Sequence, residues 1–221
     1  MCVIANSTAF SWRHKILDAL SKKRDSEITL KGVVEADETF FAVSYKGSKR
    51  IPADYKVRHS GVKSKKRDIF KDKVCVPCAI DRSGNSIAKV CNLGHISVKQ
   101  LVSFYDGKVE EGVIFCTDSE RSYIGFTAKN SFKHVRIETG KHKKGVYHIN
   151  HVNAYHNNLK SFVRTFRGVS TKHLNGYLTW YNTNKLSELE TLCELSKTNF
   201  TEGYKEISQK NPLPLIEELA A

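Results

Sequence analysis

The sequence has no apolar run near the roughly 18–20 residues that a bilayer span requires, and its opening, MCVIANSTAF, has no basic segment followed by an apolar stretch. These absences argue against membrane insertion and secretion. Cysteine is sparse: Cys2, Cys75, Cys78, Cys91, Cys116 and Cys193 make six in 221 residues, several inside apolar runs. That usage suits buried thiols in a reducing compartment and not a disulfide framework, so a cytoplasmic location is expected. Acid is short as well. Thirty-six Lys and Arg stand against 23 Asp and Glu, a net charge of +13 with pI about 9.4, which makes a polyanion, nucleic acid above all, the first partner to expect. No internal repeat or low-complexity block is present. What is present is a chain with 40% apolar residues, enough to bury the continuous core of a large domain.

Residues 8–23 place Phe10, Ile16, Leu17 and Leu20 at three- and four-residue steps, a short amphipathic helix. The Ile-, Val-, Thr- and Phe-rich segment 28–43 predicts a strand carrying Glu35, Asp37 and Glu38. From Lys46 to Lys73, eleven Lys or Arg face three Asp, a basic loop suited to DNA contact. Segments 73–81 and 85–93 flank Arg82-Ser83-Gly84 as an antiparallel hairpin, with Pro77 favouring an edge or a bulge. Ser97 can cap a helix reaching Val109. A buried strand, 110–118, then ends in Asp118, followed by a strand at 134–140 and helices at 152–166 and 171–181. This order predicts an α/β fold, a mixed sheet flanked by helices.

Asp37 on the first strand and Asp118 at the exit of the fourth could share a divalent cation if those strands are neighbours. The long helix collects Asn153, His156, Asn157 and Lys160 on one stripe. Alternation puts Glu35 on the side of Asp37 and turns Glu38 away, as a surface or ion-pair residue. Asp118 could alternatively serve as an Asx-type acceptor at a helix start. Cys75 and Cys78 have the spacing of half a metal site but no second pair, so core thiols are expected. His142, His148 and His151, set among lysines, suggest phosphate contact. Tyr177, Leu178 and Trp180 read as core.

The order VEADETFF, a basic loop, VCVPCAIDRSG, FCTDSERSY and HINHVNAYHNNLKSFVRTFRGVSTKHLNGYLTWY closely resembles the DDE-type bacterial insertion-sequence transposases with a ribonuclease-H-like catalytic domain, in the group whose third acid is often Asn. The resemblance covers roughly residues 7–182. It implies a remnant of an N-terminal DNA-recognition region at 1–25, a ribonuclease-H-like catalytic domain at 26–184 and a helical tail at 185–221. It also implies an N-terminal truncation, because relatives carry a zinc-binding module and a helix-turn-helix ahead of this region. Asp37 and Asp118 look like the first two metal ligands. Asn153 stands at the third position, thirty-five residues after Asp118, with His156 as the alternative third ligand and Lys160 as the basic residue seven after Asn153. The implied cofactor is Mg²⁺ or Mn²⁺, two ions. The implied activity is DNA cleavage and strand transfer on double-stranded element ends and target, with paired ends implying a homodimer in the bacterial cytoplasm, on the nucleoid when bound. Two other readings fit the same residues: an inactive remnant that binds DNA nonspecifically, and a structure-selective nuclease of the same fold.

Overall fold

The structure is a computed structural model that describes residues 4–52, 73–138, 140–141 and 143–184, without the side chains of 25, 26 and 184. Most of the basic segment, His142, and the expected tail at 185–221 lie outside the described residues.

The chain opens with α1 (Asn6–Glu27), then β1 (Val33–Ala42), β2 (Lys73–Asp81), β3 (Ser86–Ala88) and β4 (Asn92–Leu93). There follow α2 (Val98–Tyr105), β5 (Ile114–Thr117), α3 (Arg121–Lys129) and β6 (Lys133–Arg136). A small ribbon of β7 (Lys143–Lys144) and β8 (Tyr147–His148) leads into α4 (Asn150–Thr165), a 3-10 turn at Thr171–His173 and α5 (Leu174–Asn184). The main sheet has the order β3-β2-β1-β5-β6, with β4 also on β2. The pairs β1–β2, β2–β3 and β2–β4 are antiparallel, whereas β1–β5 and β5–β6 are parallel. This is the mixed sheet flanked by helices expected from the sequence.

Strand β1 is covered on both sides. Val34 and Ala36, with Cys75 and Ala79 of β2 and Phe115 of β5, face a core completed by Leu101, Phe104 and Tyr105 of α2 and Tyr123 and Phe126 of α3. On the other side, Val74, Val76, Cys78 and Ile80 of β2 meet Val152, Tyr155, Leu159 and Val163 of α4 and Leu174 and Leu178 of α5. The α4 residues recur at steps of three and four, so one stripe of the helix is apolar and lies on the sheet. Ser97 caps α2 as expected, accepting the Gln100 N–H while the Gln100 side chain accepts the Ser97 N–H.

Four expectations are corrected. The first helix is longer than 8–23, and Phe10 is 46% exposed, packed edge-on to His14, while Leu17 and Leu20 are buried. The second arm of the hairpin is split into β3 and β4. Pro77 lies neither at the sheet edge nor in a bulge: it pairs with Glu38 inside β2, between the stretches that bond β3 and β4. An imino residue fits there because the outer neighbour of β2 is interrupted at that point. Lys46, expected to begin a basic loop facing DNA, donates to the carbonyls of Arg167 and Gly168 at 3.0 Å each, just past the end of α4, where the helix dipole favours a cation.

Candidate active site

The register of β1 against β5 brings the two aspartates level. Glu35 lies opposite Cys116 in this parallel pair; two residues further along each strand direction stand Asp37 and Asp118, on the same face of the sheet. Asp37 also lies opposite Cys78, so this face is the one covered by α4. Each carboxylate has one oxygen fixed by the backbone beside it. Asp37 Oδ1 accepts the Glu38 N–H at 2.8 Å and Asp118 Oδ1 accepts the Glu120 N–H at 2.9 Å. The latter is the Asx-type contact at a helix start that was the plainer reading of Asp118, and it leaves the second oxygen of the same carboxylate for other use.

Burial, and then the neighbouring Asp118 charge, push the Asp37 carboxyl up to about 7, against smaller opposing effects of the Glu38 N–H and the Lys160 ammonium. Two acids held together in a half-buried cleft favour either a shared proton or a cation. His156 faces them from α4, with Nδ1 3.8 Å from Asp37 Oδ2. Its ring is buried, and burial, then Lys160, lower its pKa to about 4, so it is a neutral imidazole at physiological pH. Its Nε2 is buried with no hydrogen-bond partner among the described residues. Asn153 and Lys160 lie on exposed positions of the same helix, and Lys160 is near enough for its charge to act on both Asp37 and His156.

Sequence reasoning missed a second cluster beside this one. Glu35, 1% exposed, accepts the backbone N–H groups of His151 at 2.8 Å and Val152 at 3.2 Å on Oε2. Its Oε1 meets His151 Nδ1 at 2.7 Å, His148 Nδ1 at 3.2 Å and the Arg82 guanidinium at 3.2 Å. His148 and His151 are therefore engaged with a buried carboxylate and not set out for phosphate. The available signal was Glu35 itself, since a strand acid on a covered face needs partners; that they come from the hairpin turn and from β8 was not legible.

Glu38 is also corrected. It is half-buried on the α2–α3 side, where burial and then the charges of Asp37, Asp118 and Glu120 push its carboxyl up to about 8. Cys75 and Cys78 belong to the cores on opposite faces of β2, so they cannot share a metal, and burial raises both thiols, Cys75 to about 12.

The ISXO2-like transposase domain family matches residues 29–181, from the start of β1 to the middle of α5. The chain belongs to that family. Among curated proteins none matches it. Solved structures similar to this transposase domain include a chain of the simian T-cell lymphotropic virus intasome (10% identity, 70% of this chain and 49% of that chain, TM-score 0.43). They also include the pre-cleavage Mos1 transpososome (13%, 89% and 64%, TM-score 0.32) and the catalytic domain of Mos1 mariner transposase (11%, 90% and 97%, TM-score 0.32). The chain spans about half of the intasome chain and 64% of the transpososome chain.

Proposed function

We propose that this transposase domain cleaves DNA strands and joins the freed 3′-hydroxyl to target DNA, with divalent metal held by Asp37, Asp118 and His156. The observation that carries the reading is the level placement of Asp37 and Asp118 on adjacent parallel strands, beneath a helix that offers a neutral imidazole. The two carboxylates, whose mutual repulsion a cation relieves, suit Mg²⁺ or Mn²⁺, and the His156 imidazole, with Nδ1 toward Asp37, suits Mn²⁺ better than the oxygen-seeking Mg²⁺. His156 is favoured over Asn153 as third ligand because it is buried against Asp37 while Asn153 is exposed.

When bound, a pair of such ions stabilises the attacking and leaving oxygens of an in-line displacement at phosphorus. The remaining work falls to the chain. Asp37 must be ionised to hold a cation, so metal would compete with the proton on its carboxyl, which burial and Asp118 push up to about 7. Lys160, at the mouth of the cleft, is suited to a phosphate near the scissile bond, where it fixes the position of the strand without reading its sequence. A neutral third ligand leaves one negative charge fewer than three carboxylates, so this site should require more free metal. The net charge of +13 supports duplex DNA as partner, and acting on two paired ends would call for a homodimer.

The test is nicking of supercoiled plasmid and joining of a 3′-hydroxyl oligonucleotide to it with Mn²⁺. Both activities are expected, and both should fall at least about 1000-fold in Asp37→Ala and Asp118→Ala. Salt-sensitive DNA binding without nicking would mark an inactive remnant, and cleavage governed by branching without joining would mark a nuclease.

A further inference from the structure

The cluster around Glu35 has the donor atoms of a metal site: Glu35, His148 and His151 each offer one ligand atom, all within 4.8 Å of one another. Its geometry favours a different use. The Arg82 guanidinium lies among all three, with Nη2 3.2 Å from Glu35 Oε1 and Nη1 2.9 Å from His148 Nε2 and 3.2 Å from His151 Nδ1. A zinc ion bonded to these atoms at about 2.0–2.3 Å would take up the space the guanidinium fills. The cation of this cluster is thus part of the chain. Glu35 Oε2, meanwhile, is turned to the backbone, taking two N–H groups in the first turn of α4. These are groups that the helix cannot satisfy internally, at its positive end.

We propose that Glu35 is a positioning residue for the metal site: clamped by Arg82, His148 and His151, it fixes the start of α4 on β1 and thereby sets His156 against Asp37. This rests on the catalytic reading above and deepens it. The dimensions agree. From Glu35 to Asp37 the strand advances about 6.7 Å, and from His151 to His156 the helix advances about 7.5 Å, so a helix pinned at Glu35 arrives beside Asp37 with its sixth residue from the pin. Val152, whose N–H Glu35 accepts, is four residues before His156 and shares its face; both are buried against the sheet. Arg82 comes from the turn after β2, His148 from β8 and His151 from α4 itself, so three separate segments converge on one carboxylate, and a shift of the helix along or about its axis must break several contacts together.

The experiment uses the full chain and two measurements: amide hydrogen exchange over residues 150–156, and Mn²⁺ binding followed by electron paramagnetic resonance. In Glu35→Ala, exchange at His151 and Val152 should accelerate at least about tenfold, and the Mn²⁺ midpoint should rise about 10–100-fold, the range found when partners of metal ligands are removed. Glu35→Gln, which keeps one acceptor oxygen but loses the charge that holds Arg82, should fall between wild type and Ala. Should the alanine variant not fold, Arg82→Ala, at a one-third exposed side chain, should move both readouts in the same direction by less. In a His156→Ala background the effect of Glu35→Gln on the Mn²⁺ midpoint should vanish, because the clamp acts through that residue. Folded variants with wild-type exchange in α4, or with a Mn²⁺ midpoint within twofold of wild type, would overturn the proposal. So would stoichiometric Zn²⁺ binding by the wild type that is lost in His148→Ala. If instead Asp37→Asn bound Mn²⁺ as well as wild type, the catalytic reading would fail, while the exchange measurement would still report on the clamp alone.

Discussion

Asp37 holds a proton that an ordinary aspartate has lost. The unfolded chain releases it near 3.8, whereas in the fold burial and the Asp118 charge hold it to about 7. Between those values the folded state binds more protons than the unfolded state, so stability falls as pH rises through that window. Asp37→Asn removes the acid and should raise Tm by about 3–8 °C at pH 8 and leave it unchanged at pH 3, where both states are protonated; differential scanning calorimetry at the two pH values measures this. Metal affinity has the opposite slope, weakening below pH 7 as the proton competes. The two candidates for third ligand separate in the same way: His156→Ala should lower Mn²⁺-dependent nicking at least about 100-fold, and Asn153→Ala less than about threefold. His156→Glu, by restoring an anion, should lower the Mn²⁺ concentration needed for half-maximal nicking.

Asp37, Asp118 and the polar stripe of α4 drew attention by position and period, an acid inside an apolar strand, an acid where a buried strand ends and polar groups at helical spacing, but it was the family resemblance that set them above ordinary strand-end and capping acids. Alternation placed Glu35 and Glu38 on opposite faces correctly, but it does not say whether a face is covered. Both turned out to be at least half-buried, one clamped by Arg82 and two histidines, the other beneath α2 and α3. The packing of helices on one another was also invisible in the sequence. Gly125 of α3 leaves room for Val98 of α2, since a Cβ at 125 would lie 2.8 Å from Val98 Cγ2. Gly125→Ala should therefore cost about 1–3 kcal/mol by urea denaturation, and Val98→Ala in that background should recover part of the loss. Leu159, fully buried on the sheet-facing side of α4, should cost about 2–5 kcal/mol when cut to Ala.

At the scale of the molecule, the described residues form a helix-flanked sheet with an acidic cleft, in a protein of net charge +13. Charge excess and cleft are complementary: the basic surface attracts a polyanion that two carboxylates alone would repel. Affinity for duplex DNA should fall about 1000-fold or more between 50 and 200 mM salt if six or more phosphates are contacted, and by the same factor in Asp37→Asn, as fluorescence anisotropy would show. The fold class followed from element order, and the sheet order that makes β1 and β5 neighbours is what brings two aspartates distant in sequence onto one face. That adjacency is the central claim, and Mn²⁺ titration of the wild type and of Asp118→Ala, followed by electron paramagnetic resonance, tests it most directly. The account predicts saturable binding by the wild type and at least about tenfold weaker binding by the variant; equal binding by the two would contradict it.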